Sequence, residues 1–111
     1  MKAKIKKIKF PIFSDYLVHV ELISDLGKAL AKYDETREVS GIEGSGAMTI
    51  HVKDECRSFI FIKQRCSLNI VAHESWHAVR RMMIHMGVEL DSETVAYHLG
   101  YLVEEIFNFS R

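Results

Sequence analysis

This chain of 111 residues has only two cysteines and one proline, and its charges cancel, with 15 Lys and Arg against 15 Asp and Glu. Zero net charge excludes a general attraction to nucleic acid or anionic lipid. The cysteines, Cys56 and Cys66, bracket a strand candidate over residues 57–63. Seven extended residues span roughly 23 Å, far beyond the few ångströms that a disulfide tolerates between Cα atoms. Both are therefore expected as free thiols in a reducing compartment, the cytoplasm (a host's cytoplasm for a viral protein), and neither sits in a Cys-x-x-Cys metal pair. No apolar run approaches the length of a membrane-spanning helix. The basic start leads only into Ile8-Lys9-Phe10-Pro11-Ile12-Phe13, too short and too interrupted for a signal core. Internal repeats and low-complexity tracts are also lacking.

What the chain does have is apolar content, 48% of its residues, enough for one domain over residues 1–111 to fold on a core of its own. Charge is unevenly spread. Lys2, Lys4, Lys6, Lys7 and Lys9 make the start basic, and Glu89, Asp91, Glu93, Glu104 and Glu105 make the end acidic. Lysines on a short β-rich segment are a standard defence of a sheet edge, and that is the expectation here.

The run His73-Glu74-Ser75-Trp76-His77 carries the most specific chemistry. On a helix, residues four apart share a face with Cβ atoms about 5–6 Å apart, which lets two imidazoles reach one zinc at about 2.0–2.1 Å. Glu74, one residue round from the first histidine, then stands where it can take a proton from an ion-activated water. The context predicts a helix. Ser67 and Asn69 offer N-caps, residues 68–86 contain no proline or glycine, and Gly87 is a stop signal. Leu68, Val71, Ala72, Ser75, Trp76, Val79, Met82, Met83 and Met86 form the expected buried stripe, with His73 and His77 at its margin. The methionines are read as core packing.

The motif resembles that of the zincin metallopeptidases, and within them the gluzincins. In that branch a following helix supplies a glutamate as third ligand, often in Glu-x-x-Ala, which Glu93-Thr94-Val95-Ala96 matches here. The resemblance covers about the last third of the chain, and the short length is similar to that of minimal gluzincins and small phage-encoded proteins with this motif. It implies zinc held by His73, His77 and Glu93, with Glu74 as general base, acting on a peptide or protein substrate. Larger gluzincins often carry an aspartate four residues after the ligand glutamate, where this chain has Tyr97. Tyr97, His98 and Tyr101 are aromatics able to hydrogen-bond near the expected site, and Tyr97 is the candidate for stabilising an oxyanion.

Chain geometry leaves the third ligand open. A tight hairpin at Gly87 brings His98 or Tyr101 level with the metal and leaves Glu93 short; an extended return over residues 88–91 brings Glu93 into reach. Asp91 is a further reserve, although Asp91-Ser92 also reads as an N-cap.

Elsewhere the patterning predicts strands at residues 3–10 and 16–22, a helix capped by Ser24-Asp25 and running through Tyr33, and a glycine-bearing mobile loop at 35–46. Residues 47–52 and 57–63 are predicted as a hairpin. The final helix, Ser92–Phe109, is expected to bury Val95, Ala96, Leu99, Leu102, Val103, Ile106 and Phe107, with Ala96 and Gly100 allowing close approach to the metal helix. Residues 47–52 are the expected edge strand for pairing with an extended substrate, with His51 either near the cleft or exposed.

The expected fold is therefore α+β, a small zincin-like domain with a short, mostly antiparallel sheet, one helix in the N-terminal half, the motif helix and a C-terminal helix. The expected activity is zinc-dependent peptide hydrolysis. The alternatives are a zincin-like binding or accessory protein with a structural or vestigial metal site and, from the N-terminal lysines alone, a nucleic-acid binder. Neutral net charge argues against the last.

Overall fold

The computed structural model describes residues 5–13, 15–23, 38–40, 47–51 and 55–111. Among these residues, five strands, β1 (Ile5–Lys9), β2 (Leu17–Leu22), β3 (Glu38–Ser40), β4 (Ala47–His51) and β5 (Arg57–Ile62), precede two helices, α1 (Leu68–His85) and α2 (Ser92–Phe109). The strands form one sheet in the order β1-β2-β5-β4-β3. Every neighbouring pair is antiparallel except β2 with β5, which is parallel. This is the expected small α+β domain with a mostly antiparallel sheet. The helix expected at residues 24–33 lies outside the described residues.

Alternation of side chains across the sheet divides the core in two. Ile8, Val18, Val20, Ala47, Ile60 and Ile62 point to the helix-bearing face and pack against Val71, Ala78, Val79, Met82 and Met83 of α1 and Leu102 and Ile106 of α2. Met48, Ile50 and Phe61 point the other way, with Ile23 and Phe59 against them. β4 is buried along its whole length. α1 lies over β4 and β5, whereas α2 packs beside α1 and over β1. That division decides which side of α1 each flanking element can reach.

Local chemistry sets the helix ends where the sequence placed them. Ser67 Oγ accepts from Ile70 N–H at 3.2 Å, and Asp91 Oδ1 accepts from Thr94 N–H at 2.9 Å, each satisfying an orphan donor of the first turn. Gly87 takes φ +71°, the left-handed conformation that lacks a penalty only without a Cβ. Its N–H donates to Ile84 O at 3.1 Å, and Val88 N–H donates to Met83 O at 2.9 Å. These two bonds are the paired closure of a Schellman motif, and residues 88–91 then run non-helical to the extended N-cap Asp91 before α2.

Four expectations change. Residues 38–40, read as loop, form β3, because a three-residue edge strand is specified by its partner and not by its own pattern. β4, read as the sheet edge, is therefore interior, with β3 outside it. The buried stripe of α1 is rotated: Leu68 and Trp76 are exposed while Glu74 and Ala78 are buried. Ala96 and Gly100 are exposed, and a Cβ added to Gly100 meets nothing within 4 Å, so no close helix approach depends on them. The lysine-bearing β1 does form a sheet edge, with Lys6 Nζ 3.5 Å from Glu105 Oε1 of α2.

Candidate metal centre

His73 and His77 stand one turn apart on α1, the first exposed and the second half-buried. Their Nε2 atoms are 3.2 Å apart, with ring planes at 75°. Two nitrogens bound to one tetrahedral zinc at about 2.0–2.1 Å stand about 3.3–3.4 Å apart. The pair therefore has the spacing of two ligands on a single ion. The same distance also permits a hydrogen bond between the rings when one Nε2 is protonated.

Glu74 points inward and is only 1% exposed. Thr49 Oγ1, from the middle of β4, donates to Glu74 Oε1 at 2.6 Å and lies 3.4 Å from the Glu74 carbonyl oxygen. The other carboxylate oxygen, Oε2, is 3.9 Å from His73 Nε2. One oxygen is thus anchored to the sheet and the other is on the histidine side. A buried carboxylate with such an anchor has a defined orientation, which a general base requires.

Two residues further along β4, His51 faces α1 on the same side as Thr49. It is buried, and its Nδ1 lies 2.9 Å from Ser58 Oγ. Ser58 Oγ is in turn 2.6 Å from Tyr16 OH. The register explains the grouping, since His51 pairs with Ser58 and Ser58 with Val18 across three adjacent strands. Burial, together with the charges of Arg81, His77 and Arg80, lowers the His51 pKa to about 4, so the ring is neutral near pH 7. The Thr49–Glu74 bond ties this part of α1 to β4. His51, expected near the cleft or exposed, is buried, and the contact of Thr49 with Glu74 has no counterpart in the sequence reading, although Ala47, Thr49 and His51 alternate with Met48 and Ile50. That period of two was the available signal.

The other expected site residues lie on α2. Glu93 is exposed in its first turn. Asp91 is occupied as the N-cap, taking Thr94 Oγ1–H at 2.7 Å on its second oxygen, and the two Thr94 bonds hold its carboxyl below the usual range. His98, a reserve ligand, is completely buried. Its Nδ1 donates to Thr94 O at 2.8 Å, and its ring packs against Phe10 and Phe13. Tyr97 is 54% exposed and meets His98 edge-on. α2 packs beside α1 and over β1, whereas Glu74 of the motif reaches Thr49 of β4. Among the described residues, no group of three His, Cys, Asp or Glu side chains is placed to hold a metal. The structure thus joins His73, His77 and Glu74, adds Thr49, and does not bring Glu93 into a three-donor group with the histidines.

Among the described residues no helix is long and apolar enough to cross a membrane. Comparison with known proteins found no matching family model, no matching curated protein and no matching solved structure.

Proposed function

We propose that this protein is a zinc-dependent peptidase in which His73 and His77 hold the ion and Glu74 is the general base. The observation that carries the reading is the 3.2 Å separation of the two Nε2 atoms beside a carboxylate fixed by Thr49. Zinc, when bound, makes water a nucleophile near neutral pH and polarises a peptide carbonyl. Glu74 Oε2 faces the histidines and takes the proton from the attacking water, then delivers it to the departing amine. Thr49 keeps the other oxygen on the sheet, so the base cannot rotate away from its task. The gluzincin pattern assigns the third donor to Glu93 and oxyanion stabilisation to Tyr97. Among the described residues Glu93 joins no three-donor group with the histidines, and zinc titration of Glu93→Gln tests whether the gluzincin pattern holds here.

The second reading is a zincin-like binding or accessory protein that keeps the motif without turnover. It is favoured by the lack of a third donor among the described residues. Zinc-loaded protein incubated with a peptide library and read by mass spectrometry distinguishes the two. Cleavage by the native protein, lost in a Glu74→Gln variant that still binds zinc, supports the peptidase. Zinc binding without cleavage supports the accessory protein.

A further inference from the structure

We propose that Cys56 and His85 form a thiol–imidazole pair that makes Cys56 a site of mixed-disulfide formation with small disulfides. Cys56 Sγ and His85 Nε2 are 3.1 Å apart, within contact distance for transfer of the thiol proton to the ring. The two residues come from different elements. Cys56 immediately precedes β5, and its carbonyl accepts from Leu17 N–H at 3.0 Å, which ties its backbone to β2. His85 ends α1, and its ring meets the ring of Tyr16 edge-on at 5.9 Å. Tyr16 is itself fully buried and within 2.6 Å of Ser58 Oγ. Both partners are therefore positioned by the fold. The thiol is nonetheless exposed, so a solvent-borne reagent can reach it. The two charged residues that flank it in sequence, Glu55 and Arg57, are paired with each other at 2.6 Å.

A thiol is a weak nucleophile until its proton leaves, and an adjacent imidazole is the usual acceptor. The step balances without an added oxidant. Cys56 Sγ attacks one sulfur of a disulfide RSSR while His85 Nε2 takes the thiol proton. The S–S bond breaks, RS⁻ departs, and His85 returns the proton to it, leaving protein–SSR and RSH. Cys66 is the internal contrast. It is buried, burial pushes its thiol pKa up, and no small disulfide reaches it in the folded protein. None of this depends on the metal centre.

The test is the rate of reaction with oxidised glutathione at pH 7, followed by intact-protein mass spectrometry with peptide mapping. The reference is a peptide of residues 53–59 in the same buffer, which has the cysteine and its neighbours but not His85. Expected is a single adduct, on Cys56, forming at least about tenfold faster than on the peptide, a threshold set below the roughly 10²–10⁴-fold that general-base assistance typically supplies. His85→Gln should fall to the peptide rate while keeping a native circular-dichroism spectrum. A native rate less than tenfold above the peptide, adduct formation at Cys66 instead, or an unchanged rate in folded His85→Gln overturns the proposal. Should His85→Gln fail to fold, the wild-type-to-peptide ratio decides.

Discussion

Thr49 Oγ1 donates a 2.6 Å hydrogen bond to Glu74 Oε1, joining the middle of a buried strand to the motif helix. Removing the hydroxyl leaves a buried carboxylate oxygen without that donor, which typically costs about 1–3 kcal/mol. Thr49→Val keeps the shape and deletes the donor, so urea unfolding should show a loss of that size. Thr49→Ser should recover most of it. A Thr49→Val protein as stable as wild type would mean that the bond does not restrain Glu74.

Zinc should bind with a stoichiometry of one per chain, measured by equilibrium dialysis and elemental analysis. His73→Ala and His77→Ala should each weaken binding by more than about a hundredfold, because even outer-shell changes cost 10–100-fold. Full metal retention in both variants would end the metallopeptidase reading. Chelation alone is expected to leave the fold intact, since the apolar core does not run through the site.

Exposure and burial rank the α2 candidates. Glu93→Gln should leave zinc affinity within about twofold, because Glu93 is exposed and joins no three-donor group with the histidines among the described residues; a loss of tenfold or more, well above that of a surface change, would restore the gluzincin assignment. His98→Ala should also spare zinc but lower stability by about 2–5 kcal/mol, the range for large-to-small core changes. Its ring fills a space between Phe10 and Phe13.

Acid should destabilise the protein between about pH 6.5 and 4 through His51. Its folded-state pKa is lowered to about 4, so within this window the unfolded chain binds a proton that the folded chain excludes. Stability therefore falls as pH falls, by up to about 3 kcal/mol from this group, and levels off below about pH 4. His19, lowered by burial and by Lys7 and Arg57, acts in the same direction. Urea midpoints at pH 7, 5.5 and 4.5 should show the decline, and His51→Gln should flatten it. An equal slope in that variant would assign the acid sensitivity elsewhere.

Sequence alone determined the features that are local in origin. The caps at Ser67 and Asp91, the stop at Gly87, the helical spacing of His73 and His77 and the alternation of β2 all follow from side chains acting on their own backbone within a few residues. Tertiary structure decided the features that depend on which element lies beside which. The parallel joining of β2 to β5 cannot be read from either strand, because strand pattern records burial and not direction. The rotation of α1 that buries Glu74 and exposes Trp76 sets the carboxylate against Thr49, a polar partner within the sheet. A carboxylate needs such a partner before it can leave water, and periodicity cannot supply one. The same logic applies to Glu93, which joins no three-donor group with the histidines among the described residues. The Glu-x-x-Ala pattern was legible, but the side of α1 on which α2 packs is a property of the sheet order, and it places α2 over β1.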